Sequence, residues 1–399
     1  MNIAVIGLGC RTAAGSTPEA LWASCIAEPA PTPLRSFTGD FDGSPTVTVP
    51  FRSAPPVEPG SFPDAMSSHF RRATRNAGLA LSAAIDAAGP SLDALRGDER
   101  CAVIWGSGSS TIEPIEASYI QVIAKGRSRV SPLTVPHSMA SCPAGVIAMA
   151  LGICGPSFAT ASACASSAHA IGIACQLIEA GTIDRAIVGG SEVLSDFGAI
   201  LSWQAAGVLS KSACRPFHSQ RDGIVLGEGG AALMIERGDI TLERGARPRA
   251  WIDGSCYRTG GSDILAPDPA TISRIVRDAV GTDANLDGPI VFNAHATGTM
   301  VGDTAELDAL RTVGQSAGAP VIVSATKPVT GHMLSAAGAI EAVISILALE
   351  HQIVPCAAHV NECGSLESLN MIALPQINRI ISNSFGFGGM NCVLSFRRA

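Results

Sequence analysis

Four stretches of this chain place reactive or polar side chains where a core strand or helix would not choose them. In A-S-A-C-A-S-S-A-H-A-I-G-I-A-C-Q-L-I-E-A-G, residues 161–181, Cys164 stands where small residues turn into a helical pattern. Ile171, Cys175 and Ile178 recur at helical spacing, and Gly181 occupies the place of a left-handed terminator. Charge is almost absent up to Ile178, which predicts a helix buried on nearly every side. Unpaired N–H groups and the positive end of the macrodipole at its start favour a thiolate, so Cys164 is a candidate nucleophile.

The second stretch, N-A-H-A-T-G-T-M-V-G-D at 293–303, sets His295 at the end of an apolar strand with Thr297 and Thr299 in the loop beyond. The third, S-A-T-K-P-V-T-G-H at 324–332, flanks a Pro-Gly loop with Lys327 and His332 and continues to Glu341. The fourth, N-S-F-G-F-G-G-M-N at 383–391, offers backbone N–H donors around the bulky Phe387. A lone histidine at a strand end is usually a satisfied structural group. Two of them, with a lysine and a cysteine at a helix start, make a constellation for thiol chemistry. Polar loops that follow parallel strands gather at one edge of the sheet, where α/β active sites form.

The elements that must position these groups read as alternating strands and helices, an α/β layer fold with parallel strands. Residues 2–9 predict a buried strand ending in a glycine turn. Gly7-Leu-Gly9 imitates the start of a dinucleotide fingerprint, but Thr12 stands where its third glycine belongs. Residues 29–63 are proline-rich and predict loops or surface hairpins. Helix is expected from about Asp64 to Ala88 and strands at 101–105 and 185–190. From about Gly245 the vocabulary starts again, with strands at 250–253, 290–293, 321–325 and 380–394 and a buried helix from about His332 to Glu350. Setting Ala168-His-Ala-Ile171 against Ala337-Gly-Ala-Ile340 suggests a duplicated unit whose two central helices pack together. We divide the chain at 1–245 and 246–399, the first half carrying the cysteine and the second the histidines.

Composition narrows the function classes. With 399 residues, 15% charged and 5% aromatic, the chain can build close-packed layers rather than a disordered or fibrous structure. A net charge of −7 argues against general nucleic-acid binding. Neither a signal-peptide pattern nor an apolar run of spanning length is present in the sequence, so a cytoplasmic protein is expected. The 12 cysteines include no C-x-x-C and no His/Cys pair at zinc spacing, which favours reduced core thiols over disulfides or structural metal.

A-C-A-S-S-A-H, N-A-H-A-T-G-T-x-x-G-D, K-x-x-x-G-H-x-x-x-A-A-G and N-S-F-G-F-G-G-x-N, in that order, resemble the motifs of the elongating β-ketoacyl-ACP synthases. R-P-F-H-S-Q-R-D-G and G-E-G-G-A-A-L, between Arg215 and Leu233, resemble them too, and the similarity spans nearly the whole chain. The resemblance implies a thiolase fold, two similar halves forming a five-layered α-β-α-β-α core, as a homodimer or as a heterodimer with a chain-length-factor-like subunit. It implies decarboxylative condensation of malonyl-ACP with an acyl chain held on Cys164, without metal or cofactor, the substrates riding on the phosphopantetheine arm of acyl carrier protein.

By the same resemblance, the N–H groups of Cys164 and Phe387 form the oxyanion hole and His295 and His332 grip the malonyl thioester. Lys327 and Glu341 support the histidines, Thr297 and Thr299 hold the phosphopantetheine arm, and Phe387 gates the acyl pocket. Arg71, Arg72, Lys125, Arg127 and Arg129 are candidates for a basic rim that receives the acidic carrier. The chain departs from the family pattern at Ala296 and Ser335, where glycine is usual, at Gly298, where serine is, and at His218, where aspartate is.

Two competing readings remain. A thiolase needs a second cysteine near the C-terminal glycine loop, and here only Cys392, beyond it, is near. A non-condensing partner subunit would lack the nucleophile that Cys164 supplies. Fatty-acid and type II polyketide or polyene pathways use nearly the same residues; Ala296 and S-C-P-A-G at 141–145 lean towards specialised metabolism.

Overall fold

The computed structural model describes residues 3–40, 43–58, 64–109, 112–194, 196–261, 263–281, 288–360, 366 and 368–399. Its first half contains strands β1 (Ile3–Thr12), β2 (Leu34–Thr38), β3 (Thr46–Arg52), β4 (Cys101–Gly106), β5 (Ser157–Thr160), β6 (Arg185–Glu192), β7 (Leu226–Gly227) and β8 (Gly229–Arg237). Its second contains β9 (Ala250–Thr259), β10 (Ile290–Asn293), β11 (Val321–Ser324), β12 (Ile353–Val360), β13 (Asn370–Ala373), β14 (Arg379–Gly386) and β15 (Met390–Arg398).

Strand order shows the duplication directly. The first half runs β5-β4-β6-β8-β1 and the second β11-β10-β14-β15-β9, with β12 and β13 added beyond β11. In each, the first three strands are parallel and the last two pair antiparallel. Among the described residues, Ile3, Ala4 and Val5 of β1, paired with β9, join the two halves into one twelve-stranded sheet. Helices Ser166–Glu179 and Ala337–His351 touch both halves of the sheet and each other, so they form a middle layer. Helices Arg75–Ala88 and Cys142–Leu151 cover the outside of the first half, and Pro269–Val280 and Met300–Ala317 that of the second. This is the five-layered order expected of a thiolase fold.

A middle layer has no solvent face, which explains its sequence. Every residue from Ala337 to Leu349 is buried. The run Leu334–His351 is long and apolar enough by composition to cross a membrane, yet 89% of it lies inside the protein. Small residues let the two central helices approach: a Cβ on Gly338 would stand 2.8 Å from the Cβ of Ala168, too close to fit.

Several local expectations are corrected. Gly7 and Gly9 do not end the first strand; β1 runs through them to Thr12, with an irregularity between Val5 and Gly7. The carbonyls of Ala87 and Ala83 lie where their side chains would be, so the glycines mark close helix packing rather than a turn. The helical stretch 64–88 is two helices, Asp64–Arg72 and Arg75–Ala88, divided at Thr74, whose hydroxyl caps the second by accepting the Ala77 N–H. The run 380–394 is a hairpin of β14 and β15. His332 is not helical: a 3₁₀ turn, Leu334–Ala336, precedes the helix at Ala337. The proline-rich excursion supplies the β2–β3 hairpin as expected, but Phe37, Val47, Val49 and Phe51 bury one face of it in the apolar cluster that holds Cys164, so that face is core rather than surface.

Candidate active site

Cys164 lies in a tight elbow between β5 and helix Ser166–Glu179. Ala163 before it has φ 50°, a left-handed conformation that costs a non-glycine residue about 1–2 kcal/mol. Ser166 secures the elbow: its hydroxyl accepts the Ser162 N–H at 2.9 Å and donates to the Ala163 carbonyl at 2.7 Å. The Ser167 hydroxyl accepts the Ala339 N–H at 2.9 Å, tying the mouths of the two central helices together. The serines after the cysteine are therefore structural, and they fix where the sulfur points.

His295 follows β10 and His332 follows β11, so topology brings them to one sheet edge. The thiol sulfur of Cys164 and one ring nitrogen from each histidine all lie within 4.8 Å of one another. His332 Nε2 is 3.1 Å from Cys164 Sγ, and the two imidazole rings meet edge to face with centroids 5.3 Å apart. Phe387 lines the same cavity as the sulfur.

Buried polar groups hold these loops. Lys327 Nζ donates to the His295 carbonyl and pairs with the Glu341 carboxylate inside the core. Asn293 donates to the Glu341 carbonyl at 3.0 Å and to Ser345 at 3.1 Å. The His332 backbone is pinned to the Val225–Gly227 segment, its N–H on the Val225 carbonyl at 2.7 Å and its carbonyl accepting the Gly227 N–H at 3.0 Å. Gly223 donates to the Gly298 carbonyl at 3.0 Å, so the Arg215–Leu233 motifs brace both histidine loops.

Glu306 was not legible as a site residue. Its carboxylate accepts the His295 and Ala296 N–H groups at 2.9 and 2.8 Å and the Asn383 amide at 2.9 Å. The signal was an acid in helix Met300–Ala317 that falls on its buried side, three residues after Asp303. Asp303 plays a similar part, accepting the Phe217 and Gly298 N–H groups at 2.7 and 3.1 Å. Burial pushes the Asp303 carboxyl up to about 7.

Burial governs the protonation of the reacting groups. Loss of solvation, with Lys327 adding to it, holds both imidazoles well below 6.5, so both rings are neutral at physiological pH. Nδ1 of each ring is buried and has no hydrogen-bond partner among the described residues. Burial works against the thiolate-favouring helix start expected for Cys164. Burial pushes its thiol up to about 12, outweighing the opposing pull of Lys327 and the Phe387 N–H. Burial likewise raises the Glu341 carboxyl, to about 7, against the attraction of Lys327.

A cavity of about 520 Å³ leads to the trio, lined among others by Thr297, Thr299, Phe387 and Glu306. The Thr297 and Thr299 hydroxyls are 3.2 Å apart on its wall. Arg71, Arg72, Lys125, Arg127 and Arg129 are exposed and do not line it, and Lys125 pairs with Asp40 at 2.6 Å. The structure does not gather these five residues around the cavity; Ile264, Leu265, Met300 and Val301 on its wall are exposed.

The departures have local explanations. Ala296 has φ 41°, the left-handed region where glycine would be unstrained. The Ser335 hydroxyl donates to the buried Glu192 carboxylate at 2.7 Å and to the Ser191 carbonyl at 3.1 Å. His218 Nδ1 accepts the Gln220 N–H at 2.9 Å, the turn-closing bond an aspartate would make. Cys392 sits in β15 within the hydrophobic core and does not line the cavity. Of the cysteines, Cys363 lies outside the described residues, and the other eleven are free thiols.

The chain matches two family models, "Beta-ketoacyl synthase, N-terminal domain" over residues 1–239 and "Beta-ketoacyl synthase, C-terminal domain" over residues 249–361. It is 35% identical over 326 residues to Nodulation protein E of Rhizobium sp. (strain N33), covering 80% of this chain and 81% of that one. It is 37% identical over 315 residues to 3-oxoacyl-[acyl-carrier-protein] synthase 2 of Staphylococcus aureus (strain COL), covering 75% of each. Among solved structures, "The ishigamide ketosynthase/chain length factor" superposes with a TM-score of 0.84 at 26% identity, covering 100% of this chain and 99% of that one. A beta-ketoacyl synthase from Burkholderia phymatum STM815 gives a TM-score of 0.82 at 27% identity, with 100% and 99% covered.

Proposed function

The chain belongs to the β-ketoacyl synthase family, and from that premise we propose how its own residues carry out the reaction. It is an acyl-transferring condensing enzyme that joins malonyl-ACP to an acyl chain and lengthens it by two carbons. The observation that carries this is the convergence of Cys164, His295 and His332 within 4.8 Å at the cavity.

In the first half-reaction, the Cys164 sulfur attacks the acyl-ACP thioester carbonyl. The thiol proton leaves with the departing phosphopantetheine sulfur. Negative charge on the carbonyl oxygen is taken up by the Cys164 and Phe387 N–H groups, donors of a kind whose loss costs about 3 kcal/mol of barrier. Because burial keeps the resting sulfur protonated, the thiolate forms only as it is consumed, and an Nε2–H of His332 beside it stabilises the developing charge.

In the second, the malonyl thioester carbonyl is gripped by the neutral His295 and His332. Carbon dioxide departs, the enolate forms against these N–H donors, and its carbon attacks the acyl group on Cys164. The C–S bond breaks and the sulfur takes a proton from solvent. Neutral donors suit this step, since they stabilise the oxyanion without quenching the carbanion. No metal or cofactor is needed for either step. Lys327 acts through the His295 carbonyl, and Thr297 and Thr299, on the cavity wall, bind the phosphopantetheine arm.

Acyl carrier protein is the carrier, acting in the cytosol with this enzyme paired to a second copy or to a chain-length-factor-like subunit. A non-condensing role for this chain itself is disfavoured by the 3.1 Å contact of His332 with a cysteine such a subunit lacks. Incubating the protein with malonyl-ACP and a ladder of acyl-ACPs, read by mass, tests the reading. Formation of β-ketoacyl-ACP two carbons longer supports it, and decarboxylation without chain growth for every acyl-ACP refutes it.

A further inference from the structure

Phe387 stands at a boundary. Phe387 and Cys164 both line the cavity. Cys164 also belongs to an apolar cluster with Phe197, Ile200 and Leu334, and Trp203 packs against that cluster. The backbone after Phe387 is anchored: the Gly388 N–H donates to the Ile264 carbonyl at 2.8 Å and the Gly389 carbonyl accepts the Gly260 N–H at 3.1 Å. With that backbone held, the ring is the part free to move, and what it rests on is Trp203, at a centroid separation of 5.9 Å and 30° between planes.

We propose that Trp203 is a positioning residue, a latch that holds the Phe387 ring closed over Cys164 and releases it when an acyl chain enters the apolar cluster. This rests on Cys164 being the acyl acceptor. Trp203 touches no reacting atom; it sets the share of molecules whose space beyond the sulfur is open. A tilted aromatic pair of this kind is worth enough to shift that share about 3- to 10-fold.

The test uses alkylation, which needs no carrier protein. Trp203→Leu should speed alkylation of Cys164 by N-octyl iodoacetamide about 3- to 10-fold and leave the rate with iodoacetamide unchanged within about twofold, because only the long tail requires the open ring. Trp203→Phe keeps a ring in place and should behave as the parent with both reagents. Equal change with the two reagents, or none with either, overturns the latch. Octyl alkylation should also change tryptophan emission in the parent and not in Trp203→Phe, where Trp22, Trp105 and Trp251 remain. If Trp203→Leu fails to fold, this emission difference decides: a change that survives in Trp203→Phe refutes the proposal. Should the carrier assay yield no condensation while the tail-length effect holds, the latch stands and the reaction assignment falls.

Discussion

His332 Nε2 lies 3.1 Å from Cys164 Sγ, although 168 residues separate the two in the chain. The first half of a duplicated fold supplies the sulfur and the second the imidazole, each from the loop before a central helix. If this contact belongs to the working site, Cys164→Ala loses condensation by about 1000-fold or more and all labelling by iodoacetamide. Malonyl-ACP decarboxylation should persist, because His295 and His332 remain. Loss of both activities would place the cysteine in decarboxylation as well.

The thiol at about 12 makes a kinetic prediction. Reaction of Cys164 with iodoacetamide should climb roughly tenfold per pH unit from pH 8 to 10 and show no plateau near the ordinary thiol value. A plateau at or below pH 8 would mean that the helix start prevails over burial.

Neutral, buried histidines carry a stability cost in acid. The unfolded chain protonates them near 6.5, whereas the folded chain holds both well below it. Their effect is absent well above 6.5; as pH falls through that value, stability drops by up to about 1.4 kcal/mol per pH unit for each ring. Asp303 and Glu341, raised to about 7, oppose this, since the folded chain holds their protons more tightly as pH falls from 7. Chemical denaturation of the parent and of His295→Asn/His332→Asn between pH 5 and 7 separates the two. The double variant should lose less stability towards acid.

Lys327 and Glu341 form a buried ion pair. Lys327→Met leaves the Glu341 carboxylate unpaired in the core and should destabilise by about 3–5 kcal/mol. Adding Glu341→Leu should recover much of that loss in denaturant titrations without restoring condensation, because the His295 carbonyl still lacks its donor. Additive destabilisation would contradict direct coupling.

Ala296, at φ 41°, stands where glycine would be free of strain. Ala296→Gly should be neutral or stabilise by up to about 1 kcal/mol, once the greater freedom of the unfolded chain is subtracted. Ala296→Val should cost more than about 2 kcal/mol, since a β-branched side chain tolerates that conformation poorly. Thermal melts of the two variants check both signs.

The sequence by itself determined the reacting side chains and the layered α/β class, because both are local. Cys164 before an uncharged helix, the histidines at strand ends and the alternation of strands with helices are legible within a few residues of each. It misread Gly7 and Gly9 as a turn, because glycine in a strand and glycine after one look alike until Ala83 and Ala87 press against it. It also left Glu306 unassigned, since an acid in a helix reads as solvated surface until the fold buries it under the His295 and Ala296 amides. Only the tertiary structure decided the charge state of the site. A helix start favours a thiolate whatever surrounds it, but desolvation depends on what the other half of the chain packs against that sulfur, and here burial raises the thiol.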